Sequence, residues 1–448
     1  MKKINESRQT HPVRRVTGLG LLFLFLLFVG CETLDFPNPN APDLNSANIQ
    51  TLVSGVESEM REELDIYIQA TMTLGREGYF WEPADPRFTG ELIFGPIDPG
   101  GFLSERPWSA RYRVVAICNE LLNRAAGLSD AAQRAGVEGF AKTMRAYQLL
   151  LALNYVDEDA QGRSIRLNFD GDVSQPFATK QQAFDFIETE LNDANTALGN
   201  AGSSFIFQLS GGFAGFDAPA TFRQFNRGLA ARVLVYRGKF NDALTALQAS
   251  FLNPGGDLRT GVYHVYSLAA GDNTSPVFEV PTADFVKLRA HQTFETDAQT
   301  NAAGARDSRF TSKTFKRANP ETFDGLSTDL VAVLAQGAVD PYPIIRNEEL
   351  ILLRAEANIG QNNFGAAEQD MNIVRRAAGL EDYPAGSTNA GNALDRLLYE
   401  KRYSLFGEGH RWVDMRRYGR LNQLPIDRPA RGDKAIPRME IPEDEFAE

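Results

Sequence analysis

Cysteine is nearly absent from this chain. Its 448 residues include two, Cys31 and Cys118, so no disulfide framework staples the fold. Cys118 lies in the apolar run VVAICNELL, where a thiol is ordinarily a small buried hydrophobe. Histidine is sparse too: His11, His264, His291 and His410 share no HxxxH spacing and no CxxC occurs. A zinc-type site therefore has no ligand set, and neither a metal nor a cofactor is expected; this argument leaves open only an all-oxygen calcium site. A GxSxG nucleophile elbow is missing too. Positive charge is in deficit, with 46 Lys and Arg against 58 Asp and Glu and a net charge of −12. The first thirty residues are themselves basic (Lys2, Lys3, Arg8, Arg14 and Arg15 against Glu6), so the remainder is more acidic still. Such a surface repels nucleic acid and anionic headgroups, and neutral or cationic ligands fit it better.

What the chain does have is a globular composition, 43% hydrophobic, and one dense stretch from Leu398 to Gly419. Leu394, Leu398, Lys401 and Leu405 fall on one helical face, and Gly407 breaks the pattern. Glu400, Arg402, Glu408, Arg411, Asp414, Arg416 and Arg417 are interleaved there with Leu405, Phe406, Trp412, Val413 and Met415. Charges so mixed with apolar residues predict a half-buried ion-pair knot, because guanidinium groups pair with carboxylates while packing on aromatic rings. Reading Glu408 and Asp414 as a glycosidase pair fails on electrostatics: neighbouring arginines push carboxyl pKa values down, whereas a general acid needs one raised.

Glu400-Lys401-Arg402, Leu405, Glu408-Gly409-His410-Arg411-Trp412 and Asp414-Met415-Arg416-Arg417 together resemble the C-terminal signature of the SusD/RagB family. Ser404 stands where that signature usually has a second glutamate. Tyr112 to Leu122, Met144 to Tyr147 and Ile441-Pro442-Glu443 are similar to further family elements. The resemblance implies a cell-surface lipoprotein that binds glycan or another nutrient oligomer and hands it to a SusC-like TonB-dependent transporter, with no reaction of its own. It also implies that loops, rather than the helical scaffold, build the ligand site. Two other classes compete with this expectation: a surface-anchored hydrolase, and a helical-repeat scaffold for protein partners.

Residues 1–30 read as a secretory leader, basic and then apolar from Leu21 to Val29. That run, at ~1.5 Å per residue, is too short to cross a hydrocarbon core of ~30 Å. Phe28-Val29-Gly30-Cys31 resembles a lipoprotein cleavage box, which implies lipidation of Cys31 and an outer-membrane, outward-facing location. Pro37, Pro39 and Pro42 with Asn38 and Asn40 make 31–48 a tether. One domain is expected over 49–448, mainly α: a superhelix of helical hairpins of tetratricopeptide type with long loop-rich insertions at about 75–110, 199–220 and 255–343.

The repeat signal is clearest twice. Tyr236-Arg237-Gly238 followed by Phe240, Ala243, Leu247 and Pro254 sits close to tetratricopeptide spacing, and Phe364, Ala367, Met371 and Val374 repeat the pattern. Between them, 255–343 is irregular, with β-prone runs such as VYHVYSL and VFEVP. Its polar stretch 289–310 contributes His291 and Phe294. The first loop, 75–88, carries Arg76, Tyr79, Phe80 and Trp81, and Trp108 opens the next helix. Aromatics in a loop need a core or a ligand to cover them. The expected ligand-binding set is therefore Arg76, Tyr79, Phe80, Trp81, Trp108, His291 and Phe294, with Trp81 as the stacking face.

The anchor is directly testable. Cys31→Ala should move the full-length protein out of the membrane fraction, and unchanged fractionation would remove the basis for the lipoprotein assignment.

Overall fold

Several helices in this protein begin where the sequence supplies a partner for orphaned amide groups. In the computed structural model, which describes residues 47–169 and 174–446, helix α1 (Ile49–Glu59) starts on Asn48, whose side chain accepts from the Thr51 N–H at 2.9 Å. Helix α2 (Leu64–Leu74) follows, then strand β1 (Gly78–Phe80), α3 (Glu91–Phe94) and α4 (Phe102–Ala126). Asp130 caps α5 (Ala131–Val156), and Thr179 with Gln182 forms a capping box at the start of α6 (Lys180–Gly199). Helices α7 (Pro219–Tyr236) and α8 (Phe240–Gln248) complete the first half. The expected leader, Cys31 and nearly all of the tether lie outside the described residues, and from Asn48 onward the chain forms one compact unit.

Pro107 sits inside α4 and has no amide hydrogen to give the Leu103 carbonyl one turn earlier. The Tyr155 hydroxyl on α5 donates to that carbonyl at 2.8 Å instead. A second orphan set, the Met60 and Glu62 carbonyls after α1, is taken up by the buried Arg111 guanidinium at 3.1 and 2.5 Å. The unpaired carbonyls in the helical layer are thus taken up by side chains from other helices, which locks those helices together.

The second half opens with β2 (Gly261–His264), β3 (Leu288–Ala290), α9 (Thr293–Thr296), α10 (Ser308–Lys313), β4 (Thr314–Phe323), β5 (Leu326–Ala332) and β6 (Tyr342–Arg346). Four strands form an antiparallel sheet in the order β1-β3-β5-β4, and β2 pairs with β6. The region expected to be irregular is therefore substantially strand, although VFEVP itself is turn and coil. The β4–β5 hairpin turns on Asp324 and Gly325, with φ of 50° and 77°, the pairing that a tight Asp-Gly turn of this kind requires. A register shift between Lys316 and Glu321 accommodates Pro320 on this edge strand.

Pairing of β2 with β6 brings the two ends of the insertion together, so a long excursion leaves the helical stack without displacing it. Helix α11 (Asn347–Gly360) then packs directly on α7 and α8 and is followed by α12 (Phe364–Ala377). The two repeats are distant in sequence yet adjacent in space. A side chain at Gly360 would lie 2.1 Å from the Phe240 ring, so glycine there lets the aromatic of the first repeat fill the gap beside the second. Arg232 on α7 clamps Glu349 on α11 at 2.6 and 2.7 Å, both fully buried. The fold is mainly α, a tetratricopeptide-like stack of helical hairpins with loop-rich insertions; among the described residues no helix is long and apolar enough to cross a membrane.

Helices α13 (Ala393–Ser404) and α14 (His410–Arg417) carry the charged stretch. Lys401 lies 2.9 Å from Glu356 and 2.7 Å from Asp414, while Arg417 lies 2.6 Å from each of the same two carboxylates. Two anions and two cations thus alternate in a closed ring joining α11, α13 and α14. Burial opposes the charge on Glu356, but Arg417 and Lys401 overcome it and hold the carboxyl down to about 2. Glu400 forms a separate cluster, 2.7 Å from Arg309 and 2.9 Å from Arg375. Ser404, standing where the signature usually has glutamate, accepts from Arg309 at 3.1 Å. Glu408 pairs with Arg346, and Arg402 with Asp297 at 2.7 Å. Among the described residues Arg411 makes no such ion pair: it donates to the Gly75 carbonyl at 3.2 Å.

Removing one member of the ring leaves the rest uncompensated. Asp414→Ala should cost about 3–5 kcal/mol, because two cations are left sharing Glu356 in the interior. A melting temperature close to that of the parent protein would show that the ring is not needed for stability.

Candidate functional site

The first loop and the insertion, separate in sequence, are hydrogen-bonded to each other through β1 and β3: Gly78 faces Ala290, Tyr79 faces Arg289 and Phe80 faces Leu288. Glycine at 78 is required, since a Cβ there would sit 2.0 Å from the Arg289 carbonyl oxygen. This pairing brings Tyr79 and His291 within reach of a residue that sequence reasoning did not single out, Asp427. The Tyr79 hydroxyl donates to one Asp427 oxygen at 2.6 Å and the His291 Nε2 meets the other at 2.9 Å. His291 Nδ1 accepts the Thr293 N–H at 3.0 Å, which assigns the ring proton to Nε2. Burial works against the Asp427 charge, but the bonds from His291 and Tyr79 and the charge of Arg76 keep its carboxyl below its usual value.

Most of the aromatics expected to face a ligand are covered by protein. Trp81 is 1% exposed, stacked 5.9 Å from Phe323 with the Arg289 guanidinium 4.6 Å over its ring. Trp108 is 2% exposed and donates to Glu445 at 2.7 Å. Phe294 is fully buried between Phe406 and Tyr403, at 4.1 and 4.6 Å. Arg76 is buried and donates to the Thr73, Ile93 and Lys434 carbonyls at 2.7, 3.1 and 2.8 Å. The stacking face expected at Trp81 is therefore a core packing face. Its cover comes from the β4–β5 hairpin, and for Arg76, Tyr79 and Trp108 it comes from the tail 420–446, whose composition gave no hint of burial.

Phe80 is the exception. It is half-buried and borders an open cleft of about 530 Å³ between α2, the 80–88 turn and residues 276–288. Phe102 and Phe278, also half-buried, share this cleft. Phe88 lies behind them, 4.8 Å edge-on to Phe80 and 5.6 Å from Phe102. Asp65 and Gln69, four residues apart on α2 and hence on one face, supply a carboxylate and an amide to the floor. A second recess of about 300 Å³, bordered by Arg61, Glu62 and Tyr266, adjoins the first at Asp65 and Pro276. Apolar ring faces beside hydrogen-bonding groups suit a ligand that alternates apolar faces with hydroxyls.

Asp65, Gln69, Phe102 and Phe278 were not on the expected list. The helical i, i+4 spacing of the first two was visible, but nothing local marked which face of α2 would stay uncovered. Phe278 was hidden in a run that reads as a strand.

Glu77, between α2 and β1, is an unusual group in this region. It is buried, and among the described residues neither carboxylate oxygen meets a hydrogen-bond donor in good geometry. Burial pushes its carboxyl up to about 7, against the opposing pull of Arg411, Arg402 and Lys313. The native state therefore binds a proton that the unfolded chain releases near its ordinary value. Stability from this group is complete below about pH 4.5 and is lost as pH rises towards 7. Glu77→Gln should remove that decline, so its melting temperature should gain on the parent's progressively between about pH 5 and pH 8. Parallel pH profiles would contradict this.

Comparisons with known proteins follow the same lines. Residues 332–445 match the model of the SusD family. No curated protein sequence matches the chain. Among solved structures, a SusD superfamily protein from Bacteroides vulgatus superposes with a TM-score of 0.67 at 13% identity, covering 90% of this chain and 96% of that one. Surface glycan-binding protein A from Bacteroides thetaiotaomicron, solved in complex with laminarihexaose, gives 0.67 at 15% identity over 89% and 96%. A SusD-like carbohydrate binding protein from Bacteroides vulgatus gives 0.63 at 14% identity over 83% of each chain. Residues 332–445 thus match the SusD family model, and over 90% of its length the chain shares the fold of a SusD superfamily structure.

Proposed function

We propose that this protein is a surface lipoprotein that captures glycan oligomers and performs no chemistry on them. The observation that carries the reading is the open cleft in which Phe80, Phe102 and Phe278 offer partly exposed rings above Asp65 and Gln69. Sugar rings have apolar C–H faces that stack on aromatics, and hydroxyls that exchange hydrogen bonds with carboxylates and amides. Similar folds described as carbohydrate-binding, one of them with laminarihexaose bound, support the same reading. Within it, a lipid on Cys31 anchors the domain, 31–48 tethers it at the outer face of the outer membrane, and captured glycan passes to a SusC-like TonB-dependent transporter. The ligand-binding assignment moves from Trp81, Trp108 and Phe294 to Phe80 and its cleft neighbours. Tyr79, His291 and Arg76 support the strand that presents Phe80.

Two substitutions on adjacent residues separate binding from stability. Phe80→Ala should weaken glycan affinity at least about tenfold, ~1.4 kcal/mol, with a nearly unchanged melting temperature. Trp81→Ala should instead cost roughly 3–5 kcal/mol of stability, as for emptying a buried aromatic site. Following product formation alongside binding tests the absence of chemistry. Unaltered affinity in Phe80→Ala, or cleavage of a bound oligosaccharide, would defeat the proposal.

A further inference from the structure

The cleft has a charge pattern that its aromatic lining does not require. The cations lining it and its neighbouring recess are matched: Lys287 pairs with Glu82, Arg87 with Asp85 at 2.6 Å, and Arg61 with Asp272 at 2.6 Å, while the exposed Arg106, 5.7 Å over the Phe102 ring, lies 3.9 Å from Glu63. Arg87 is further committed to the Phe102 ring, with its guanidinium 4.2 Å from the centroid. Among the described residues several carboxylates are in no ion pair. Asp65, which feels the charge of Arg106, is one of them and stands where the two recesses meet. Glu279 accepts the Lys287 and Leu288 amides, at 3.2 and 2.7 Å, and Glu62 accepts the Asn273 side-chain amide at 3.2 Å. Neutral donors orient a carboxylate without cancelling its charge.

We infer that this cleft takes uncharged or amino-bearing glycans and excludes uronic-acid and sulfated ones, with Asp65 at the junction as the main discriminating residue. The inference rests on the glycan-binding reading and adds the ligand's charge class to it. A hydroxyl approaching Asp65 donates to it and is bound. A sugar carboxylate or sulfate in the same place meets a like charge in a partly desolvated recess whose lining cations, Lys287 and Arg61, are already paired. The net charge of −12 adds a repulsive long-range field of the same sign. An amino sugar is drawn in by both.

The test uses the full-length protein in detergent and three hexasaccharide probes: a neutral β-glucan, an oligogalacturonate and a chitosan oligomer. At low salt the galacturonate should bind at least about tenfold more weakly than the better of the other two, and the gap should narrow as ionic strength rises. Asp65→Asn should narrow it at low salt. Glu82→Gln, on the half-exposed rim, should do so independently by freeing Lys287, which covers the case in which the helix substitution perturbs folding. Equal or tighter binding of the galacturonate would overturn the charge exclusion and leave glycan binding standing. A gap indifferent to salt and to both substitutions would also overturn it, assigning the preference to shape. Binding of none of the three probes would remove both readings together.

Discussion

A closed ring of four buried charges, Glu356, Lys401, Asp414 and Arg417, is the constraint on which the helical body depends. Charges taken out of water are tolerated only if each finds its counter-charge at good geometry. The ring meets that condition only when α11, α13 and α14 are in their native places. It is joined by a second buried clamp, Arg232 with Glu349, between α7 and α11. These contacts are weak contributors to net stability compared with apolar burial, but they are strict about arrangement. A slipped helix would strand a charge, whereas a slipped leucine would merely find another neighbour.

That strictness explains how a repeat fold survives a long interruption. The tetratricopeptide-like pairs are separated in sequence by a region of mixed strands and turns, yet α11 lands on α7 and α8 as a neighbouring repeat would. The β2–β6 pairing closes the neck of the excursion, and Phe240 against Gly360 gives the two repeats a shape-specific contact. The insertion is then free to carry the sheet that presents Phe80. The rigid stack and the variable ligand-facing region are divided at that neck.

Features governed by local rules were legible in the sequence. Helical periodicity, the breaking of the pattern at Gly407, and repeat spacing around Phe240 and Phe364 all depend on residues within a few turns of one another. The ion-pair knot was legible as composition, although its partners Glu356, Arg309 and Arg375 lie on other elements and could not be named. One local signal was overlooked: Asp324-Gly325 between β-prone runs is a strong hairpin marker, and it predicts β4–β5. The candidate site was far less legible, because whether a loop aromatic is exposed is decided by what the rest of the chain lays over it. Tyr79, Phe80 and Trp81 are consecutive and chemically alike, yet only Phe80 borders the cleft. Alternation along extended chain puts Tyr79 and Trp81 together on the face opposite Phe80, and the covering segments come from residues more than two hundred positions away.

The tail that covers those residues has a consequence for the order in which the molecule can be made. Strand β1 has to wait for β3, and Arg76, Tyr79 and Trp108 find their partners in Lys434, Asp427 and Glu445, 358, 348 and 337 positions further along the chain. Contacts of such sequence separation form slowly, because the loop they close must be ordered before any of them is made. The helical hairpins, whose partners are near neighbours, are complete early. The cleft, lined by residues from Asp65 to Leu288, therefore depends on a pairing that closes after the local hairpins: the chain holds pieces of scaffold before it holds a binding face.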